Sequence, residues 1–167
     1  SGAIFAEIIS RKFKLKTSDL LFTCCMLRDV GKIILGSFLA QEQHLTKGLE
    51  GQPFDVLEQE VFGIDHAEAG AILMESWHMP EEFAAAVRWH HRPAMYSGPQ
   101  SIAMIVKIVH VADILSYMAG DNDGVDGLNY RLDGETAAGL GISCELADII
   151  IYEHKLKYEE LKTAGVL

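Results

Sequence analysis

Residues 62–93, FGIDHAEAGAILMESWHMPEEFAAAVRWHHRP, decide the fold. Asp65 is placed as an N-cap, with Glu68 three residues on as its capping-box partner. The helix behind it is expected to bury Ala69, Gly70, Leu73 and Trp77. Met79-Pro80 breaks that helix, and Pro80 suits the first turn of the next, where a missing N–H costs nothing. The second helix runs to about His91 and is stopped by Pro93. Two helices joined by so short a break pack antiparallel or steeply crossed. His66, at the start of one, and His90-His91, at the end of the other, are therefore candidates to meet.

The flanking sequence is helical too. Ala3 to Phe13 puts Ile4, Ile8 and Ile9 on one face, with Phe5 and Phe13 near it. Thr17 to Asp19 offers capping residues, and Leu20, Leu21, Cys24, Leu27, Gly31, Ile34 and Leu35 follow at helical spacing. Phe38 to Leu49 reads as an amphipathic helix, and Pro53 starts a short one that stops near Gly63. Ser101 to Met118 is strongly apolar and is expected at the centre. Gly141-Ile142-Ser143 introduces a last helix from about Cys144 to Lys162. In GDNDGVDGLNYRLDG, counted from Asp121, a calcium loop would need Gly where Asp126 stands and Glu where Leu132 stands, so the segment reads as a solvated turn. The fold expected is all-α: one compact bundle of about seven helices spanning residues 1–167.

The 167 residues fit one domain, and 49% apolar content is ample for its core. No apolar run approaches the roughly 20 residues of a membrane span, and no signal-peptide pattern opens the chain. A net charge of −10 argues against nucleic acid or an anionic membrane as partner, but leaves room for a small anionic ligand at a local basic spot. Three cysteines without zinc spacing point to a reducing compartment, and the cytoplasm is the expected location. Of Cys24 and Cys25, which face different sides of a helix, one is expected to pack inward; a redox role has no support from the residues around them.

Chemistry concentrates in five residues. Asp113 lies in an apolar helix between Val109, Val111, Ala112 and Ile114, where a carboxylate is costly unless paired or bound to metal. Asp29, in LRDVGKII, poses the same question. With His66, His90 and His91 these carboxylates could converge on one divalent ion, and such ligands suit Zn, Fe, Mn or Mg. Each residue also has a plainer reading. Asp29 can pair with Arg28, Lys32 or a facing histidine. His66 can extend its helix cap. His90 and His91 can cap a helix C-terminus, and Asp113 can accept a hydrogen bond from His110 or His66.

The ordered set RD-x-GK, H-A-E-A-G, W-x-x-P, H-H-R-P and H-V-A-D resembles the HD phosphohydrolase superfamily, and most of all its HDOD branch, the HD-related output domain of bacterial signalling proteins. The likeness spans roughly Ile4 to Leu161, with a more distant similarity to HD-GYP cyclic-dinucleotide phosphodiesterases. In catalytic relatives an upstream His and a His-Asp doublet anchor the metal. The resemblance implies Asp29 as the doublet Asp, His66, His90 and His91 as later ligands, Asp113 as the last Asp, and Lys32 as a phosphate-contacting or proton-donating residue. It also implies that this chain is the later part of the domain, with helices and a first His ligand preceding residue 1.

Arg28 stands where the doublet would have His. A guanidinium cannot be a ligand, and repulsion from a dication a few ångströms away costs several kcal/mol at an effective dielectric of about 20. No catalytic residue and no cofactor are therefore expected, and the metal positions are read as vestigial or weak. The function this implies is a non-catalytic bacterial signalling module that acts by contact with other signalling domains or regulator proteins, or by binding a small ligand. The alternative is a metal-dependent phosphohydrolase of a nucleotide or cyclic nucleotide, with Lys32 on the phosphate.

Overall fold

The computed structural model describes residues 1–39, 53–120 and 130–166, and helices are the only regular elements among them. In chain order these are α1 (Gly2–Lys12), α2 (Ser18–Leu27), α3 (Val30–Leu39), α4 (Phe54–Phe62), α5 (His66–Ser76), α6 (Glu81–Trp89), α7 (Gln100–Ala119), α8 (Gly134–Gly139) and α9 (Cys144–Thr163), with one 3-10 turn at Pro93–Met95. The all-α expectation holds. The count exceeds seven partly because α8, six residues long, carries no apolar period to announce it. The helix expected over Phe38 to Leu49 lies outside the described residues except for Phe38 and Leu39, which end α3; positions 121–129 of the expected solvated turn lie outside them as well.

The single helix expected across Leu20 to Leu35 is two helices. Arg28 turns its side chain inward, its Nη1 donating to the Cys25 carbonyl at 2.7 Å, and the chain restarts as α3. α2 packs on α1, α6 and α7, whereas α3 packs on α5. The change of axis rotates Ile34 partly into solvent. Because α2 is covered on more than one side, both Cys24 and Cys25 are buried, where one was expected. Burial pushes both thiols up to about 12, so they are protonated and inert near neutral pH.

α7 is the central strut, packed against α1, α2, α6 and α9. Ile105, Ile108, Val109, Ala112 and Leu115 join Phe5, Ile8 and Ile9 of α1 and Leu21 of α2 in the main core. Full burial of each larger side chain there contributes about 1.5–3 kcal/mol before entropy is counted. By length and composition α7 could cross a membrane, contrary to the sequence expectation; 67% of its apolar window, however, is buried inside the bundle, as in a core helix.

The decisive stretch folds largely as read. Asp65 Oδ1 accepts the Glu68 N–H at 2.8 Å. The capping box closes on that side only, because the Glu68 carboxylate is drawn to Arg88 Nε at 2.8 Å instead. Pro80 is the N-cap of α6, one position earlier than expected. Trp77 corrects the sequence reading: it is 60% exposed, as the C-cap beyond the last turn of α5, and the chain reverses at His78 with φ 56°.

α3 and α5 meet at glycine. A Cβ on Gly31 would lie 1.9 Å from the His66 carbonyl oxygen, and one on Gly70 would lie 3.1 Å from the Gly31 nitrogen. Only backbone-to-backbone contact brings the start of α3 this close to the start of α5. That contact sets Asp29 and Lys32 beside His66.

Candidate metal centre

The five residues singled out from sequence are drawn into one region by four structural features: the α2–α3 break, the start of α5, the end of α6 and the middle of α7. His66 is the first residue of α5 and is fully buried. His90, the C-cap of α6, is also fully buried, and His91 follows it part-buried. One ligand atom from each of the three histidines lies within 4.8 Å of the other two.

Hydrogen bonds fix two of the three rings. His66 Nδ1–H donates to Glu58 Oε2 at 2.5 Å, and the backbone N–H of His66 donates to the same oxygen at 2.7 Å. His90 Nδ1–H donates to the Val87 carbonyl at 2.7 Å, which satisfies the plainer helix-capping reading. Both rings therefore turn Nε2 toward the cluster. His66 Nε2 and His91 Nε2 stand 2.9 Å apart, within hydrogen-bond distance. His90 Nε2 is buried and has no hydrogen-bond partner among the described residues. Burial pushes His90 down to about 4; it also pushes His91 down, reinforced by the neighbouring His90 and His66. Both are neutral imidazoles near neutral pH, the form that ligates metal.

The carboxylates are engaged elsewhere. Arg28 Nε donates to Asp113 Oδ1 at 2.6 Å, and Arg28 Nη2 lies 3.2 Å from Asp29 Oδ2. Lys32 Nζ lies 2.8 Å from Asp29 Oδ1, and His66 Nε2 lies 3.5 Å from the same oxygen. Burial would raise the Asp29 carboxyl, but the Arg28 and Lys32 cations outweigh it and hold the group well below the usual carboxylate range. Burial works against the Arg28 charge, yet Asp113 and Asp29 keep it protonated. Asp113 thus pairs with Arg28, where sequence had offered His110 or His66. His110 instead donates from Nδ1 to the His90 carbonyl at 2.7 Å and accepts the Asp133 N–H at Nε2, 3.0 Å away. Asp113 Oδ2 is buried without a partner among the described residues.

Two neighbours had no signal in the sequence reading. Glu58 is fully buried against His66, though a glutamate on a short amphipathic helix reads as a solvated residue. Tyr130 stacks on His91, with ring centroids 4.4 Å apart and planes 9° apart, and its hydroxyl accepts the Asp55 N–H at 3.1 Å. Its position beyond a polar loop gave no hint of either contact.

The three imidazole nitrogens fit a divalent ion. The carboxylates fit it poorly, since ligation would have to break the Arg28 pairs. When bound, such an ion would polarise water or a phosphate oxygen. Lys32, held on Asp29 and 5.8 Å from the centre of the Phe54 ring, is not free to take a phosphate without leaving that carboxylate.

Comparison with known proteins bears on the family and the fold. An uncharacterized protein of Treponema pallidum (strain Nichols) is 28% identical over 98 residues, which is 56% of this chain and 18% of that protein. The crystal structure of a virulence factor from Campylobacter jejuni subsp. jejuni superposes with a TM-score of 0.60 at 18% identity, over 92% of this chain and 57% of that one. The chain therefore spans under a fifth of the first relative and just over half of the second, and the second likeness bears on the fold alone. The family model of the HDOD domain matches residues 1–93, a span that holds Arg28, Asp29, His66, His90 and His91. With more than half of its length matched, this chain belongs to the HDOD domain family.

Proposed function

We propose that the chain is a non-catalytic output or regulatory module of bacterial signal transduction, working in the cytoplasm through contacts with other signalling domains or regulator proteins, or through a small ligand held in the remodelled HD pocket. One observation carries this reading: a single guanidinium, Arg28, is bonded to Asp113 and paired with Asp29. Those are the two carboxylates a hydrolytic HD centre would use. Arg28 supplies the positive charge that metal supplies in catalytic relatives, but it cannot bind or activate water as a metal does. A bridged two-ion centre would need both carboxylates back.

The test is turnover. The wild-type chain and Arg28→His, each with added Mn²⁺ or Fe²⁺, are assayed on a generic phosphodiester and on cyclic dinucleotides. Neither is expected to turn over above a metal-only blank. Chelator-sensitive hydrolysis by the wild type would establish the rival reading, a metal-dependent phosphohydrolase, which draws on the surviving cluster of His66, His90 and His91. Robust hydrolysis by Arg28→His alone would show a site one residue short of competent.

A further inference from the structure

α9 is apolar on two faces. Ala147, Ile150 and His154 are buried on the face turned to the bundle. Ile149, Tyr152 and Leu156 recur at helical spacing on the outer face, where they are 49%, 64% and 56% exposed. Single exposed apolar side chains are ordinary, but three in line on one face form a stripe. Exposed charges border it, Asp148 before Tyr152 and Lys155 after it. Glu153 and Lys157 are turned instead to α1, where they pair with Arg11, Lys12 and Glu7. Beside Leu156 a shallow cavity of about 320 Å³ opens between α1 and α9, with Ile8 in its lining.

We infer that the outer face of α9 is a self-association surface, which pairs antiparallel with the same face of a second copy of this chain about a two-fold axis at Tyr152. The stripe reads nearly alike in both directions from that residue: Ile149 and Asp148 lie one turn before it, Lys155 and Leu156 one turn after. Antiparallel pairing therefore sets Ile149 against Leu156 of the second copy and Asp148 against its Lys155. Each contact occurs twice, as an isologous interface requires. Parallel pairing would oppose Asp148 to Asp148 and Lys155 to Lys155, a like-charge arrangement that disfavours it. Glu145 and Glu159 also come opposite each other, but about two turns from the axis, where inclined helices have splayed apart. The cavity beside Leu156 leaves room for Ile149 of the second copy. One helix crossing another buries less than the roughly 1,200 Å² of a stable complex, so the association is weak, with a dissociation constant on the order of 100 µM. A charge of −10 on each chain keeps it so. α9 contributes no residue to the histidine cluster, and this surface stands apart from the reading of the pocket.

Sedimentation equilibrium of the chain tests the inference, at concentrations up to about 1 mM and roughly 0.15 M salt, with circular dichroism to confirm that each variant is folded. A monomer–dimer equilibrium is expected. Tyr152→Glu puts two carboxylates on the axis and should weaken the dimer at least about tenfold. Asp148→Lys turns both opposite-charge contacts into repulsions and should weaken it at least about fivefold. Adding Lys155→Asp to that variant reverses both partners together and should restore the dimer to within about threefold of wild type. All three positions are exposed, so folding is expected to survive each change. A chain that stays monomeric at about 1 mM overturns the inference. So does a dimer that Tyr152→Glu leaves intact, which would place the contact on another face. Failure of the double variant to recover what Asp148→Lys loses would overturn the antiparallel pairing itself.

Discussion

Arg28 and Asp113 show how a residue far away in sequence decides what another residue does. Both were visible as anomalies: an arginine where a ligand was expected, and a carboxylate inside an apolar helix. Their partnership was not, because 85 residues separate them and nothing local pairs them. Truncating one member strands the other. Arg28→Met leaves the Asp113 carboxylate, 1% exposed, without its cation, and is expected to destabilise the fold by about 3–5 kcal/mol in urea denaturation. A loss under about 1 kcal/mol would mean that the pair is not what holds Asp113 in the core. His90 gives a second test, with a definite sign. Its folded-state pKa is about 4, below the ordinary value, so the unfolded chain takes up the proton first as pH falls. Stability should therefore be full above about pH 6.5 and decline toward pH 4 by on the order of 3 kcal/mol. Melting temperatures measured across that window should fall less steeply for His90→Gln than for the wild type.

Helices and caps were legible from period and punctuation. Asp65, Pro80 and Pro93 marked the boundaries of α5 and α6 to within a residue or two. The α2–α3 break was not legible, because LRDVGK holds no proline and its one glycine sits after the turn. What ends α2 is tertiary: Arg28 pointing into the site and Gly31 against the backbone of α5. Trp77 was misplaced for a related reason, since periodicity extends a face without saying where the helix stops. Gly31 is where the element scale controls the site. Gly31→Ala would drive a methyl into the His66 carbonyl, and backbone cannot move aside as a flexible side chain can. Chemical denaturation should show a loss of at least about 2 kcal/mol, because α3 and the His66 end of α5 must part. An unchanged midpoint would contradict this close approach.

At the scale of the whole molecule, the first and last helices are tied together over the same core that carries α7. Glu153 of α9 receives Arg11 at 2.9 Å and Lys12 at 2.6 Å from α1, and Lys157 reaches back to Glu7. These bridges lie at the surface and are partly exposed, so Glu153→Gln should cost about 1 kcal/mol or less, and the difference should shrink in high salt, as a denaturation series at low and high ionic strength would show. The clasp aligns α1 and α9; the core of Phe5, Ile8, Ile9 and Ile150 holds them. The most direct measurement is metal content by mass spectrometry on protein purified without chelator and then equilibrated with a mixture of Zn²⁺, Mn²⁺ and Fe²⁺. No more than one ion per chain is expected, since Arg28 holds both Asp29 and Asp113. Two ions per chain, with manganese or iron among them, would show that Asp29 and Asp113 leave Arg28 to bind metal, and would contradict the non-catalytic reading at its root.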